Sequence, residues 1–222
     1  MRKISVLALG MIAAASHGFI DVNFDSLVNA DLTNLTGGWG YPQNGGNVTI
    51  SGIDHRIALT SGGKSGGMFF NDQTKTIAVG EFGIHEVYTI INSGQGAFGQ
   101  LNGIIEIHGS GGLLQTVSLI QGDNIRDHYN GNYNNTATNI NGSLGYASGV
   151  RFDQQKIVLD PAFHTATLTE IRFIGQNNFG NNGSPMLQSL TLNTVPEPAS
   201  MLILAAGAGA LLRRRSKKSA TV

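Results

Sequence analysis

The stretch Ile84-His85-Glu86-Val87-Tyr88-Thr89-Ile90-Ile91-Asn92-Ser93-Gly94-Gln95-Gly96 decides the fold class of this chain. Val87, Thr89 and Ile91 fall on one face of an extended segment, and Glu86, Tyr88 and Ile90 on the other. That period of two belongs to a strand and not to a helix. Asn92 to Gly96 then supplies residues that tolerate positive φ and turn the chain. The same grammar recurs outward in both directions. Strands are predicted over 48–53, 56–60, 67–70, 76–79, 84–91, 103–108, 113–120, 149–152, 156–159, 165–174 and 187–192, with Gly-rich turns at 61–67 and 109–112. Gly accounts for 31 of the 222 residues, a composition that weakens helices. Repeats with periods of roughly 20–50 residues are missing, which disfavours a solenoid or propeller. The expectation is an all-β fold, an antiparallel β-sandwich of jelly-roll type.

The two ends read differently. MRKISVLALGMIAAASHGF opens with Arg2 and Lys3, continues in an apolar run from Ile4 to Ala15, and closes on small residues. This is the form of a secretory signal peptide, assigned here to residues 1–18. At the other end, 14 uncharged and mostly apolar residues, Ala199–Leu212, precede Arg213, Arg214, Arg215, Lys217 and Lys218. As a short hydrophobic helix this run would measure roughly 21 Å against a hydrocarbon core of roughly 30 Å, and flanking arginines can snorkel. Its basic flank matches the side of the membrane that retains positive charge. Both ends then place the segment 19–194 outside the inner membrane.

Charge is partitioned accordingly. The chain is formally neutral, yet Asp21–Val195 holds seven basic and thirteen acidic residues, a net charge of −6. Such a segment is repelled by phosphate backbones, so no nucleic-acid partner is expected. With no cysteine, disulfides, thiolate metal sites and a Cys nucleophile are excluded.

Val195-Pro196-Glu197-Pro198, the apolar run and the Arg213-Arg214-Arg215 cluster together resemble the PEP-CTERM sorting signal over residues 195–218. The resemblance implies export across the inner membrane of a Gram-negative bacterium and processing by an exosortase. In that picture Val195–Pro198 is the recognition motif, the helix holds it at the inner membrane, and the arginines fix topology. The prolines stop the helix from propagating upstream and keep the motif extended. Within the central segment, Gly83–Asn92, Asp123–His128 and Leu168–Phe173 are similar to galactose-binding-like jelly rolls. This implies the fold and carries no ligand with it.

One long polar loop, Gln121–Ser143, concentrates the candidate chemistry. Asp123, Asn124, Arg126, Asp127, Tyr129 and Tyr133 are the parts from which sugar sites are made: aromatic faces for C–H groups, amides and charges for hydroxyls. Equally, the loop can be solvated, its Asn and Gly serving turns and Arg126 pairing with Asp127 or with an acid on another strand. Trp39 and Tyr41 offer either a second aromatic platform or core. Asp123, Asn124 and Asp127 present oxygens of the kind Ca2+ takes, without EF-hand order. Structural Ca2+ is the one ion considered, and no other cofactor is expected.

The five histidines beyond the signal peptide lack paired-ligand spacing, so no zinc site is assigned. No Gly-x-Ser-x-Gly elbow occurs. Glu81, Glu86, Glu106 and Glu170 could form a glycosidase pair only if folding brings two together, so no catalytic residue is assigned. The expected function is a non-enzymatic, exosortase-processed component of the cell surface or extracellular matrix, associated with exopolysaccharide and biofilm. Its partners are the secretion machinery, the exosortase, the inner membrane before processing and extracellular polysaccharide. The alternatives are a carbohydrate-binding module with a defined glycan and, behind it, a glycan-acting hydrolase.

Overall fold

Strand β7 (Ile84–Gly94) lies in the middle of the molecule with both of its faces covered. The computed structural model describes residues 18–35, 40–41, 45–60, 62–129, 136–176 and 184–194. Phe19–Thr194 forms one compact unit. In chain order the other strands are β1 (Gly18–Asp21), β2 (Ala30–Asp31), β3 (Asn47–Ile50), β4 (Ile53–Arg56), β5 (Gly66–Phe69), β6 (Thr74–Phe82), β8 (Leu101–Gly109), β9 (Leu113–Ile120), β10 (Gly142–Gly145), β11 (Arg151–Val158), β12 (Thr167–Gly175) and β13 (Ser184–Thr194). Every ladder with a resolved register is antiparallel. The fold is an all-β sandwich.

The larger sheet runs β10-β11-β7-β13-β5-β2, with β1 added along β13, and the smaller runs β6-β12-β8-β9. Between them lies the main core. Val87, Ile91, Leu190 and Leu192 from the larger sheet meet Ile105, Ile107, Ile171 and Phe173 from the smaller, all buried. The face of β7 carrying Val87 and Ile91 is the one the alternation predicts. Its opposite face is covered as well. Ile90, Phe152 and Met186 pack there against Tyr41 and against Val48 and Ile50 of the β3–β4 hairpin. Burial on both faces explains why nine of the eleven residues of β13 are buried and why it reads as an unbroken run rather than an alternation.

Several boundaries differ from the expected ones, each for a local reason. The strand expected over 48–53 folds back on itself: Ser51 and Gly52 have φ of 51° and 78°, and Ile50 pairs with Ile53. Two consecutive positive φ values make the tight turn whose twist suits a two-residue hairpin. The return strand therefore ends at Arg56, where a new strand was expected to begin. The expected strands 149–152 and 156–159 are one strand, β11, running through Asp153-Gln154-Gln155. Those three polar residues are buried and hydrogen-bonded, so they continue the strand where their polarity suggested a break. β12 ends on Gly175 against the Phe70 backbone, where an added Cβ would lie 1.8 Å from the Phe70 carbonyl oxygen.

The connections give the sandwich two distinct poles. At one, β6 turns into β7 through Gly83, β11 passes to β12 through the 3-10 segment Pro161–Thr165, and β13 ends opposite Ile84. At the other, β7 leads into β8, β9 leads into the polar loop, and β11 begins.

Candidate functional site

The polar loop leaves β9 at the second pole, where its first residues close the sheet. Asn124 acts as a fragment of strand: its Oδ1 accepts from the Ile120 N–H (2.8 Å) and its Nδ2 donates to the Ser118 carbonyl (2.8 Å). This satisfies backbone groups on the open edge of β9. Asp123 Oδ1 accepts from the side chains of Thr138 and Asn139, tying the two ends of the loop together.

From Arg126 onward the chain runs beside β7. Ser93 N–H donates to the Arg126 carbonyl and His128 N–H to the Ser93 carbonyl, both 2.9 Å. Arg126 forms a two-pronged pair with Asp153, Nε to Oδ2 and Nη2 to Oδ1, each 2.8 Å. Asp153 is fully buried and also accepts from Asn92 Nδ2 (2.8 Å). That hydrogen bond to Asp153 raises the pKa of Arg126 despite partial burial. Arg151 points the other way, donating from Nε and Nη2 to the Asp127 carbonyl at 3.0 and 2.8 Å, and burial lowers its pKa. Asp127 uses both carboxylate oxygens to accept from backbone, Gln95 N–H (2.6 Å) and Tyr129 N–H (2.7 Å). Burial pushes the Asp127 carboxyl up and the neighbouring His128 imidazole down. Tyr129 bridges to Val150 and packs on the second core. Tyr41 belongs to that core, stacked on Phe152 at 4.3 Å and donating its hydroxyl to the Arg151 carbonyl (2.6 Å).

Of the six candidate loop residues, five are thus brought to one pole, where their polar groups hold the loop to the sheet. Tyr133 lies outside the described residues, as does Trp39. Arg126 takes the acid of another strand, Asp153, rather than Asp127. The oxygens of Asp123, Asn124 and Asp127 serve different partners. Among the described residues no group of three or more His, Asp or Glu is placed to hold a metal.

The same pole carries a residue that sequence reasoning missed. The segment Gln95–Gln100 is bound to the polar loop through Gly99 N–H to the Gln121 carbonyl (2.8 Å) and Gln121 N–H to the Gln100 carbonyl (2.9 Å). At its tip Phe98 is 71% exposed, the most open large apolar side chain among the described residues. In sequence it sits in a Gly-rich stretch that reads as turn chemistry, and only the neighbouring loop gives it company.

Folding does bring two of the four glutamates onto one surface. On the outer face of the smaller sheet Glu106 stands opposite Arg172 and Glu170 opposite His108. Glu106 Oε2 meets His108 Nε2 at 2.9 Å, and Glu170 Oε1 accepts from Arg172 Nε at 2.7 Å. Glu106 thus sits against the His108 ring and, at 4.0 Å, Arg172, and Glu170 against Arg172. Glu86 lies elsewhere, bound by Lys156, Asn193 and Tyr88; burial opposes its ionisation, but those three hydrogen bonds lower its pKa to about 2. His85 and His164 stack at 3.5 Å at the first pole, a pairing that their separation in sequence gave no sign of.

The sorting residues Val195, Pro196, Glu197, Pro198, Arg213, Arg214 and Arg215 lie outside the described residues, and so does the signal peptide except Gly18. The sequence adjoining them is placed. β13 ends at Thr194, so the Pro-Glu-Pro motif follows the last strand with no linker. Among the described residues no helix is long and apolar enough to cross a membrane. No curated protein matches the chain. Residues 194–216 match the family described as the PEP-CTERM protein-sorting motif, a span that encloses Val195–Pro198, the apolar run and the three arginines. The β-sandwich therefore belongs to an exported protein that carries a PEP-CTERM sorting signal and is addressed by it to exosortase processing at the cell surface.

Proposed function

We propose that the sandwich is a non-enzymatic structural component of the surface or matrix of a polysaccharide-producing cell, released from its tail by the exosortase. The observation that carries this reading is the employment of the polar groups. Asp127, Asp153, Arg126, Arg151 and Asn124 spend their hydrogen bonds on the fold, Glu106 is engaged by His108, and Glu170 is paired with Arg172. A hydrolytic site needs an acid and a base poised toward open space. The two glutamates, Glu106 and Glu170, are both engaged by neighbouring side chains. Mass spectrometry of the protein recovered from the cell surface tests the sorting part: both termini should be trimmed, the second near Val195–Pro198. Retention of Val222 would overturn it. Purified protein should release no reducing ends from the producing cell's own exopolysaccharide.

A second reading, a carbohydrate-binding module, is favoured by one feature. Phe98 presents an exposed ring beside a loop rich in amides and hydroxyls, the combination that grips a sugar by its C–H face and its hydroxyls. If this reading holds, glycan-array binding drops at least about tenfold on Phe98→Ala, the scale of one lost aromatic anchor. A full array without signal returns the protein to the structural role.

A further inference from the structure

Large apolar side chains are unevenly distributed over the surface. Among the described residues five are exposed: Phe19, Phe82, Phe98, Leu114 and Val158. Phe98 lies at the loop-bearing pole, and Phe82, Leu114 and Val158 lie at the opposite one. Phe82 ends β6, Leu114 stands in the first turn of side chains on β9, and Val158 ends β11. Phe19, on β1, lies edge-on to Tyr88 opposite Thr191, near the end of β13. Leu114 and Val158 share an open cleft of about 470 Å³ with Leu113 and Phe163, and Gln115 and Asp160 line it too.

This is also the pole where the chain leaves the sandwich. Thr194 is the last residue of β13, and the apolar run begins at Ala199. Five Cα-to-Cα steps separate them, a reach of at most about 18 Å. While the apolar run is in the bilayer, Thr194, at the same pole as Phe82, Leu114 and Val158, is tethered within that reach of it. A tether so short sets an effective concentration on the order of millimolar, enough to populate a contact too weak to be seen between free molecules. We propose that this pole is a membrane-contact face, on which Phe82, Leu114 and Val158 enter the headgroup boundary of the phospholipid bilayer before processing. The inference rests on the sorting-signal reading above.

The chemistry of the contact follows from the charge. The segment from Asp21 to Val195 carries −6, so an anionic leaflet gives it no electrostatic attraction. Glu86 nearby is bound to Lys156, and within the cleft Asp160 accepts from the Ala162 N–H while its own N–H donates to Gln115 Oε1. The contact is apolar, insensitive to salt and dependent on the tether, one weak signal added to a membrane helix. Its consequence is orientation: the domain stands with Phe98 and the polar loop facing away from that bilayer.

The absence of cysteine makes the test clean. Full-length protein carrying Leu114→Cys, Val158→Cys or, as the control, Phe98→Cys is labelled with an environment-sensitive fluorophore. It is then reconstituted into phosphatidylcholine vesicles with or without brominated acyl chains. All three positions are exposed, so the substitutions leave the core intact. The expected result is quenching by brominated lipid at 114 and 158 at least about threefold that at 98, unchanged by high salt, as for an interfacial apolar contact. Vesicle-bound protein with equal, water-like signals at all three positions would overturn the membrane-contact face and leave the sorting reading standing. Labels at 114 and 158 shielded from water yet not quenched by lipid would also overturn it, in favour of a protein contact. Full-length protein that fails to float with vesicles would overturn both.

Discussion

His55 is fully buried beneath the larger sheet, with Ser189 Oγ at 3.3 Å and Thr191 Oγ1 at 3.2 Å from Nδ1 and Gln154 Nε2 at 2.6 Å from Nε2. Burial outweighs the nearby Asp21 and Asp54 and depresses its pKa to about 4 from 6.5. The folded state thus resists a proton that the unfolded chain accepts. Stability is complete above pH 6.5 and falls as pH drops from 6.5 toward 4, because the unfolded state then binds more protons. Between pH 7 and pH 5 the loss from this residue is about 2 kcal/mol. Urea midpoints at the two pH values measure it, and His55→Gln should remove most of the difference. Burial depresses His128 in the same direction and raises its neighbour Asp127, which acts in the opposite sense, so both groups contribute to any residual slope. Nothing in Ile53-Asp54-His55-Arg56 announces this. A histidine in a short strand reads as surface until the hairpin is seen to lie on β13.

At the scale of elements, the strands with clean alternation could be read directly. β7, β8, β9 and β12 lie within a few residues of their expected bounds: β8, β9 and β12 pair an apolar face with a wetter one, and β7, though covered on both faces, is bounded by turn residues. β11 could not be read whole, for the physical reason that makes it informative. Asp153-Gln154-Gln155 is polar in sequence and dry in the fold, each side chain satisfied by a partner at least 13 positions away. Sequence supplies the donors and acceptors but not their pairing. The same holds for Arg126, whose partner on β11 is 27 positions distant. Breaking a buried ion pair by removing one partner costs more than the pair contributes, because the other charge stays behind. Asp153→Asn leaves Arg126 without its carboxylate and removes the negative charge 3.8 Å from Arg151 Nε. It should cost about 3 kcal/mol or more in denaturant unfolding. Ser143→Ala, removing only the 3.3 Å contact to Arg126 Nη2, should stay within about 0.5 kcal/mol. Equal losses from the two changes would show that the pair does not anchor the loop.

For the molecule as a whole, the decisive strand is the last one. The sorting tail could be read from sequence because its signal is linear: motif, apolar run and basic cluster need no folding to be adjacent. Its relation to the domain could not be read, because it depends on which strand ends beside it. β13 lies between β7 and β5, and β1, the first strand, pairs with it. The larger sheet is therefore incomplete until residue 194 has been delivered. Loops that close over nearly the whole domain, such as Asp21 to Thr191, cost entropy before they return contacts. In a chain exported from its N-terminus, the sandwich closes at about the moment the sorting motif reaches the membrane. A chain stopped after Thr194 keeps every strand and should fold, resisting limited proteolysis as the mature protein does. Lacking residues 195–222, it should appear in the medium unprocessed rather than at the cell surface. A chain stopped before β13 exposes the buried faces of β7 and β5 and should be degraded during export. Fractionation with immunoblotting separates the three fates. Surface retention of the chain ending at Thr194 would mean that the sandwich holds its own address, and that the tail serves transit alone.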